Sequence, residues 1–469
     1  MFPGLTLGYW LTLHGLVTVI AVLAYVITSH VLHQRRHPTA AIAWVLFILL
    51  VPYVALPAFL TFGSRKQARP RSVALRLAPP APSDTQAEVH WAVQTALALG
   101  QFPPAGFDEL HVHADGSAAL AALWHTVDSA RHSIDLCTFI IGRDAVGAEL
   151  IERLAAKARS GVRVRVMLDG LGRIMAGSPS LKPLAAAGAA VTYFVPPWHS
   201  PLKGRTNLRD HRKMVVSDAA CDSRRLWCGG RNLACEYFEG APGTPAWRDL
   251  SFDLHGDVVT QASTLFEHDW AFANGQRASS IAPPALALAP AGAGAQLVAS
   301  GPDQVDDTVY ALLVTAAYRA RRRIAIATPY FVPDAALLMA LSMAARRGVL
   351  VDLLLPARSN HRLSDLARRR ALRSLAAAGG RIWLAPRMMH AKLIVIDDVL
   401  ALAGSANIDS RSLFLNYELM MAFHSAEAVG RFADWFEAER ANAQRSVPRP
   451  AGLVGDLVDG MVLWVGFQL

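Results

Sequence analysis

Hydrophobic positions along this chain fall into three regimes. The first is a pair of nearly uncharged apolar runs near the N-terminus, residues 9–29 and 40–62. Each reaches the roughly 20 residues a helix needs to cross the hydrocarbon of a bilayer. Tyr9, Trp10, Trp44 and Tyr53 can serve as interfacial aromatics, and Pro52 and Pro57 predict a kink in the second helix. A secretory signal would carry a basic segment ahead of its apolar run, and Met1–Gly8 has none. The pattern therefore predicts a two-helix transmembrane hairpin over residues 1–63.

The second regime consists of short apolar runs separated by amphipathic segments, and it occurs twice. Residues 132–141 read as a buried strand, 146–160 as a helix with apolar positions at helical spacing, and 161–169 as a second strand. The order returns as a strand over 323–331, a helix over 334–347 and a strand over 348–355. Strand–helix–strand units of this length require parallel pairing and a sheet covered by helices. The fold class predicted is α/β, with two pseudo-repeated halves, 106–281 and 297–450.

The third regime is punctuation. Residues 64–105 contain Pro70, Pro79, Pro80, Pro82, Pro103 and Pro104 and read as a juxtamembrane linker with one short helix near 87–99. The Ala/Pro/Gly-rich stretch 282–296 reads as a connector between the halves. Residues 451–469 form an apolar tail that docks on the core or touches the membrane. Residues 368–378 form a basic helix whose charges are either a solvated face or a lipid-facing one.

Charge narrows the partners. The chain has 46 Lys and Arg against 37 Asp and Glu, a net charge of +9, which favours polyanions such as nucleic acid or an anionic membrane. Arg35 and Arg36 lie between the apolar runs, whereas Arg65, Lys66, Arg69 and Arg71 follow them. That excess predicts the larger C-terminal part on the cytoplasmic side. The four cysteines form no C-x-x-C pair, so small buried thiols in a reducing compartment are expected.

The chemistry sits in a repeated motif. His211-Arg-Lys213 is followed by Asp218, and His390-Ala-Lys392 by Asp397, so both read H-x-K-x4-D. Each leads to a glycine turn and an asparagine, Gly229-Gly230-Arg231-Asn232 and Gly404-Ser405-Ala406-Asn407. One H-x-K is unremarkable in a chain with 16 histidines; two with matching turns are not. On a strand, i and i+2 share a face, so each histidine is expected to point with its lysine. Two imidazoles, two ammonium groups and two asparagine amides around one cavity suit a phosphodiester. The cations stabilise charge developing on the non-bridging oxygens, one histidine attacks phosphorus, and the other protonates the leaving alkoxide. Lys213, Asn232, Lys392, Ser405 and Asn407 are the candidate phosphate ligands. Side chains supply the positive charge, so no metal or cofactor is called for. Asp218 and Asp397, although part of the motif, are expected to brace backbone.

This pattern resembles the phospholipase D superfamily, whose active site is assembled from two such half-sites. Asp409-Ser-Arg-Ser-Leu-Phe-Leu-Asn-Tyr-Glu418 is similar to the D-x-R-S-x-x-L-N-x-E signature of bacterial cardiolipin synthases. Asn207–Lys213, Trp247-Arg248-Asp249, residues 300–303 and 328–333, and the N-terminal segment with Arg35-Arg36-His37-Pro38 resemble the same family. The likeness covers most of residues 9–440; Ser217 departs from it, where an apolar residue is usual. The resemblance implies two packed phospholipase D-like α/β/α domains with mixed sheets. It also implies a transphosphatidylation in the bacterial inner membrane: phosphatidylglycerol gives up glycerol, forms a phosphatidyl-histidine, and passes the phosphatidyl group to a second phosphatidylglycerol to give cardiolipin. It assigns His211 as nucleophile and His390 as general acid and base, an order the sequence leaves reversible. Asp249 is expected to orient His211, and Glu418 to orient His390. Rival readings are a hydrolytic phospholipase D, a nucleic-acid phosphodiesterase, and an inactive membrane scaffold. The apolar hairpin and the missing aromatic-plus-basic stripe speak against nucleic acid. Intact H-x-K pairs speak against a scaffold.

Overall fold

The computed structural model describes residues 7–31, 38–62, 86–196, 207–241, 243–276, 294–304 and 306–450, with 452, 455 and 459. The basic flanks that predict topology, most of the connector, and nearly all of the tail lie outside these residues, as do the side chains of Tyr9 and Trp10.

Two sheets repeat one strand order. In the first half it is Asp108–Val112, Ser251–His255, Arg225–Gly229, Met214–Ser217, Ser133–Thr138, Arg163–Leu168, Ala190–Tyr193. In the second it is Ala295–Ser300, Asn416–Phe423, Leu400–Gly404, Leu393–Ile396, Arg323–Ala327, Leu350–Pro356, Arg381–Ala385, with Gln444–Ser446 added at the edge. The predicted strand–helix–strand units pair in parallel, Ser133–Thr138 with Arg163–Leu168 and Arg323–Ala327 with Leu350–Pro356. The strand predicted over 323–331 stops at Ala327. Pro329 offers no N–H to a ladder, and the chain resumes as Phe331–Val332, paired with Ile408–Asp409.

Side-chain alternation explains how the sheets pack. Met214 and Val216 enter one core while Val215 enters another; Leu393 and Val395 face the shared core while Ile394 and Ile396 face outward. The shared core draws on both sheets and on helices Val258–Ala273 and Ala426–Ala441 between them. Helices Gly116–Ser129 and Ala145–Arg159 cover the outer face of the first sheet. Thr308–Arg319, Ala335–Arg346 and Arg362–Ala377 cover the second. Both sheets are thus buried on both faces, and each strand that follows an H-x-K sequence is central.

Two expectations change here. The short helix expected in the linker, Gln86–Ala98, packs on the second half, with Ala92 in its core. Gln101 reinforces this, its Oε1 accepting from the Ala299 N–H at 2.8 Å. Residues 86–105 therefore dress a domain rather than span a gap. The second apolar run forms two helices, Pro38–Leu50 and Pro52–Phe62, divided at Val51. They pack with Leu7–Val31 around Ala21, Tyr25, Ile48, Ala55 and Phe59. Among the described residues no helix is long and apolar enough to cross a membrane. In the basic helix, Arg368 turns inward to the Pro356 and Ala357 carbonyls, while Arg369 and Arg370 stay exposed.

Candidate active site

Each H-x-K tripeptide lies just before its central strand rather than in it, ahead of Met214–Ser217 and Leu393–Ile396. What fixes the histidines is backbone from the opposite half. The His211 N–H donates to the Tyr417 carbonyl at 2.9 Å, and the His390 N–H to the Arg248 carbonyl at 2.6 Å. The next residue after each acceptor is a carboxylate. His211 Nδ1 lies 3.0 Å from both Glu418 oxygens, and His390 Nδ1 lies 2.6 Å from Asp249 Oδ2. The pairing expected from sequence is therefore crossed: Asp249 holds His390 and Glu418 holds His211. The reason is geometric, because these inter-half backbone bonds place each carboxylate one residue beyond the partner half's histidine. With Nδ1–H donated to a carboxylate, Nε2 is the nitrogen left for chemistry.

The lysines sit with their own histidines. Lys213 Nζ donates to the His211 carbonyl at 2.6 Å and stands 5.8 Å from the Phe139 ring centre. Lys392 Nζ lies 2.8 and 3.1 Å from the two ring nitrogens of His390. Burial pushes Lys213 down to about 8 and Lys392 down to about 7, against the pull of nearby carboxylates. Burial also lowers both histidines, His390 to about 3. The lysine of each half adds to the depression of the other half's histidine, so the four groups converge. Burial alone would raise Asp249, but His390 and Lys392 hold it at about 2. Glu418 is likewise held low despite burial, by His211 and Lys213. Two neutral imidazoles backed by two carboxylates are thus the ground state at neutral pH.

The remaining motif residues separate into roles. Ser405 Oγ donates to Glu418 Oε2 at 2.5 Å and accepts from the Leu419 N–H at 2.9 Å, so its hydroxyl is committed to the carboxylate rather than to a ligand. Asn232 Nδ2 donates to the Tyr237 hydroxyl at 2.8 Å, and its Oδ1 is buried without a partner. Asn407 also keeps an unpartnered buried Oδ1. Asp218 and Asp397 stand away from the histidines. Asp218 accepts from the N–H groups of Arg131, His132 and Ser133, and Asp397 from those of Arg321, Arg322 and Arg323. Both adopt left-handed backbone, φ 50° and 46°, which Asp tolerates better than most residues.

A cavity of about 680 Å³ opens on His211. Asn207, Arg209, Asn407, Asp409, Arg411 and Asn416 line its polar side; Phe139, Leu171, Met175, Tyr330 and Val332 line its apolar side, joined by Trp44 from the N-terminal helices. The His211 side chain keeps 13% exposure and that of His390 6%. Rings of Tyr237 and Trp247 pack at 5.1 and 5.7 Å from the His390 ring. Three supporting side chains, those of Arg212, Asp269 and Asp169, escaped sequence reasoning. Arg212 is wholly buried, pairs with Asp269, and donates from Nε to the Glu418 carbonyl at 3.1 Å. Asp169 caps helix Gly170–Met175 and accepts from the Asp210 N–H at 2.9 Å. The only sequence signal was a charged residue inside an H-x-K whose counterpart is Ala391.

Comparison with known proteins identifies the family. A family profile described as cardiolipin synthase, PLD-like domain, matches residues 123–270 and 313–440. A phospholipase D-nuclease N-terminal profile matches 17–64. Cardiolipin synthase A of Pseudomonas putida (strain W619) is 31% identical over 433 residues, 88% of each chain. A cardiolipin synthase of Geobacillus kaustophilus (strain HTA426) is 30% identical over 450 residues, 91% of this chain and 88% of that one. In three dimensions, the phosphatidylserine synthase of Haemophilus influenzae Rd KW20 overlays 82% of this chain and all of its own with a TM-score of 0.60. At 10% identity, that likeness speaks to the fold alone. The chain belongs to the cardiolipin synthase family, with one phospholipase D-like domain in each half.

Proposed function

We propose that this enzyme is a cardiolipin synthase that moves a phosphatidyl group from one phosphatidylglycerol to another through a phosphatidyl-histidine. The observation that carries the mechanism is the crossed pair, two neutral imidazoles each backed by the other half's carboxylate beside two lysines. His211, the more open and the one lining the cavity, attacks phosphorus through Nε2. The P–O bond to glycerol breaks, and His390, which takes up a proton at Nε2 when the anionic phosphodiester binds beside it, gives that proton to the departing alkoxide. Lys213 and Lys392 offset charge on the non-bridging oxygens, with Asn232 and Asn407 beside them. In the second half-reaction His390 takes the proton of the incoming hydroxyl as its oxygen bonds phosphorus and the P–N bond breaks.

Transfer rather than hydrolysis requires that a lipid alcohol outcompete water. The N-terminal helices support this reading. Leu16, Val19, Ile20, Leu23, Ile42 and Leu50 are exposed on their outer face, an apolar surface too large for water to face without cost. Trp44 of the same helices walls the cavity. We read them as a hairpin seated in the bacterial inner membrane, the catalytic halves on the cytoplasmic side, delivering substrate from the bilayer at high local concentration.

The test is product analysis of the full-length protein in phosphatidylglycerol vesicles with EDTA present, alongside His211→Ala and His390→Ala. Wild type is expected to yield cardiolipin and free glycerol, and each variant to lose more than about 10⁴-fold in rate. Phosphatidic acid as the sole product would make the protein a hydrolase instead.

A further inference from the structure

Transfer to phosphatidylglycerol, the reading this inference rests on, has a requirement that hydrolysis lacks. The acceptor is itself a phosphodiester, and its attacking hydroxyl lies three carbons from its own phosphate. While the lysines hold the phosphatidyl group on His211, a second anion must enter the same poorly solvated space. Left without a counter-charge it would be costly to bury.

The cavity lining holds two arginines among its described residues, one from each half, Arg209 and Arg411. Arg209 precedes His211 by two residues, at most about 7 Å along the chain, and both line the cavity. A glycerol bridge with its two ester oxygens spans a comparable distance between phosphorus atoms. Arg411 donates to Asn207 Oδ1 and to the Asn207 carbonyl, both at 3.3 Å, long bonds to neutral oxygens. Burial lowers both guanidinium groups, and Arg209 adds to the effect on Arg411. Asp169 acts on both in the opposite sense, as Asp409 and Glu418 do on Arg411, and the two guanidinium groups share one cavity wall where a bound anion would meet both. Asn416 completes the wall, its Cα paired in register with Arg209. Its Nδ2 donates to Glu418 Oε1 at 3.3 Å, which leaves a buried Oδ1 without a partner. A phosphate oxygen cannot satisfy that atom; a hydroxyl can.

We propose that Arg209 and Arg411 bind the phosphate of the acceptor phosphatidylglycerol, with Asn416 Oδ1 accepting from its middle hydroxyl. The acceptor's primary hydroxyl then falls beside the phosphatidyl-histidine. Its oxygen bonds phosphorus, the P–Nε2 bond breaks, and its proton passes to His390. The subsite makes the enzyme choose a phosphorylated glycerol over glycerol or water.

Acceptor competition tests this directly. Full-length protein in phosphatidylglycerol vesicles is offered equimolar glycerol 3-phosphate and labelled glycerol, and the two transfer products are counted. Wild type is expected to favour glycerol 3-phosphate at least tenfold. Arg209→Gln and Arg411→Gln should each bring that ratio close to one, and Arg209→Lys should retain most of it. A wild-type ratio near one overturns the subsite, as does a preference that survives both glutamine variants. Loss of both products together in the glutamine variants also overturns it, because that is what a purely structural role predicts. Absence of any transfer by wild type would instead sink the synthase reading, an outcome separate from the ratio.

Discussion

His211 and His390 hold equivalent places in the repeat, yet their surroundings differ in three linked ways. His211 is held by a glutamate and His390 by an aspartate, one methylene shorter. Behind the glutamate stands Ser405, whose hydroxyl grips one of its oxygens. At the equivalent turn beside the aspartate stands Gly230, where an added Cβ would lie 2.3 Å from Asp249 Oδ1. Carboxylate length and turn residue have thus traded off, so that each histidine is braced by a different route. Exposure follows the same division, with His211 opening on the cavity and His390 packed against Tyr237 and Trp247. On the mechanism proposed above, the open group attacks and the covered one transfers the proton.

The largest test of that division is to weaken each brace in turn. Glu418→Gln replaces the charged acceptor of the His211 Nδ1 proton with a neutral amide, which can also present its NH2 and so favour the wrong tautomer, and Asp249→Asn does the same for His390. Each is expected to lower kcat by about 10³–10⁴-fold, as losing the carboxylate behind a catalytic histidine does elsewhere. A phosphatidyl ester of p-nitrophenol then separates the two. Its leaving group needs no proton, so the first-turnover burst should return in Asp249→Asn and stay absent in Glu418→Gln. A burst restored in Glu418→Gln alone would reverse the roles of the two histidines.

A smaller effect is expected from the turn residues. Gly230→Ala drives a methyl into Asp249 and should cost about 10²-fold in kcat, while Ser405→Gly removes one support of Glu418 and should cost about 10-fold, in the range typical of outer partners of catalytic groups. Rate measurements on the two single variants check this. Equal losses would mean that the two braces are interchangeable and that the asymmetry carries no function.

The repeat was legible because it is written in local patterns. Strand–helix–strand spacing and two H-x-K copies survive in one dimension, and they brought His211, Lys213, His390 and Lys392 to one expected site. The carboxylate partners were legible as residues but not as pairs. Which carboxylate meets which histidine depends on the His211–Tyr417 and His390–Arg248 backbone bonds between halves, and sequence proximity favours the wrong answer. Arg212 was hidden for a similar reason. Between two motif residues it reads as solvated charge, whereas the fold sends it inward to Asp269 and the Glu418 carbonyl. Ser405 looked like a phosphate ligand because its bond to Glu418 is a tertiary fact.

The smallest effect on rate, and the one that best separates scaffold from site, belongs to the motif aspartates. Each carboxylate gathers three consecutive N–H groups at the start of the strand paired with its own, and so ties the H-x-K hairpin to the first strand of the strand–helix–strand unit in its half. Asparagine accepts left-handed backbone well, so Asp218→Asn and Asp397→Asn test the acceptors rather than the turn. Asp218 is 2% exposed and Asp397 is partly open to solvent. A buried acceptor lost without replacement costs about 1–3 kcal/mol, so Asp218→Asn should lower the melting temperature more than Asp397→Asn. Neither should change kcat more than a few-fold below that temperature, because neither carboxylate touches a histidine or lysine of the site. Thermal unfolding in detergent, followed beside cardiolipin formation, distinguishes the cases. A large fall in kcat at unchanged melting temperature would move these aspartates from the frame of each half-site into its chemistry.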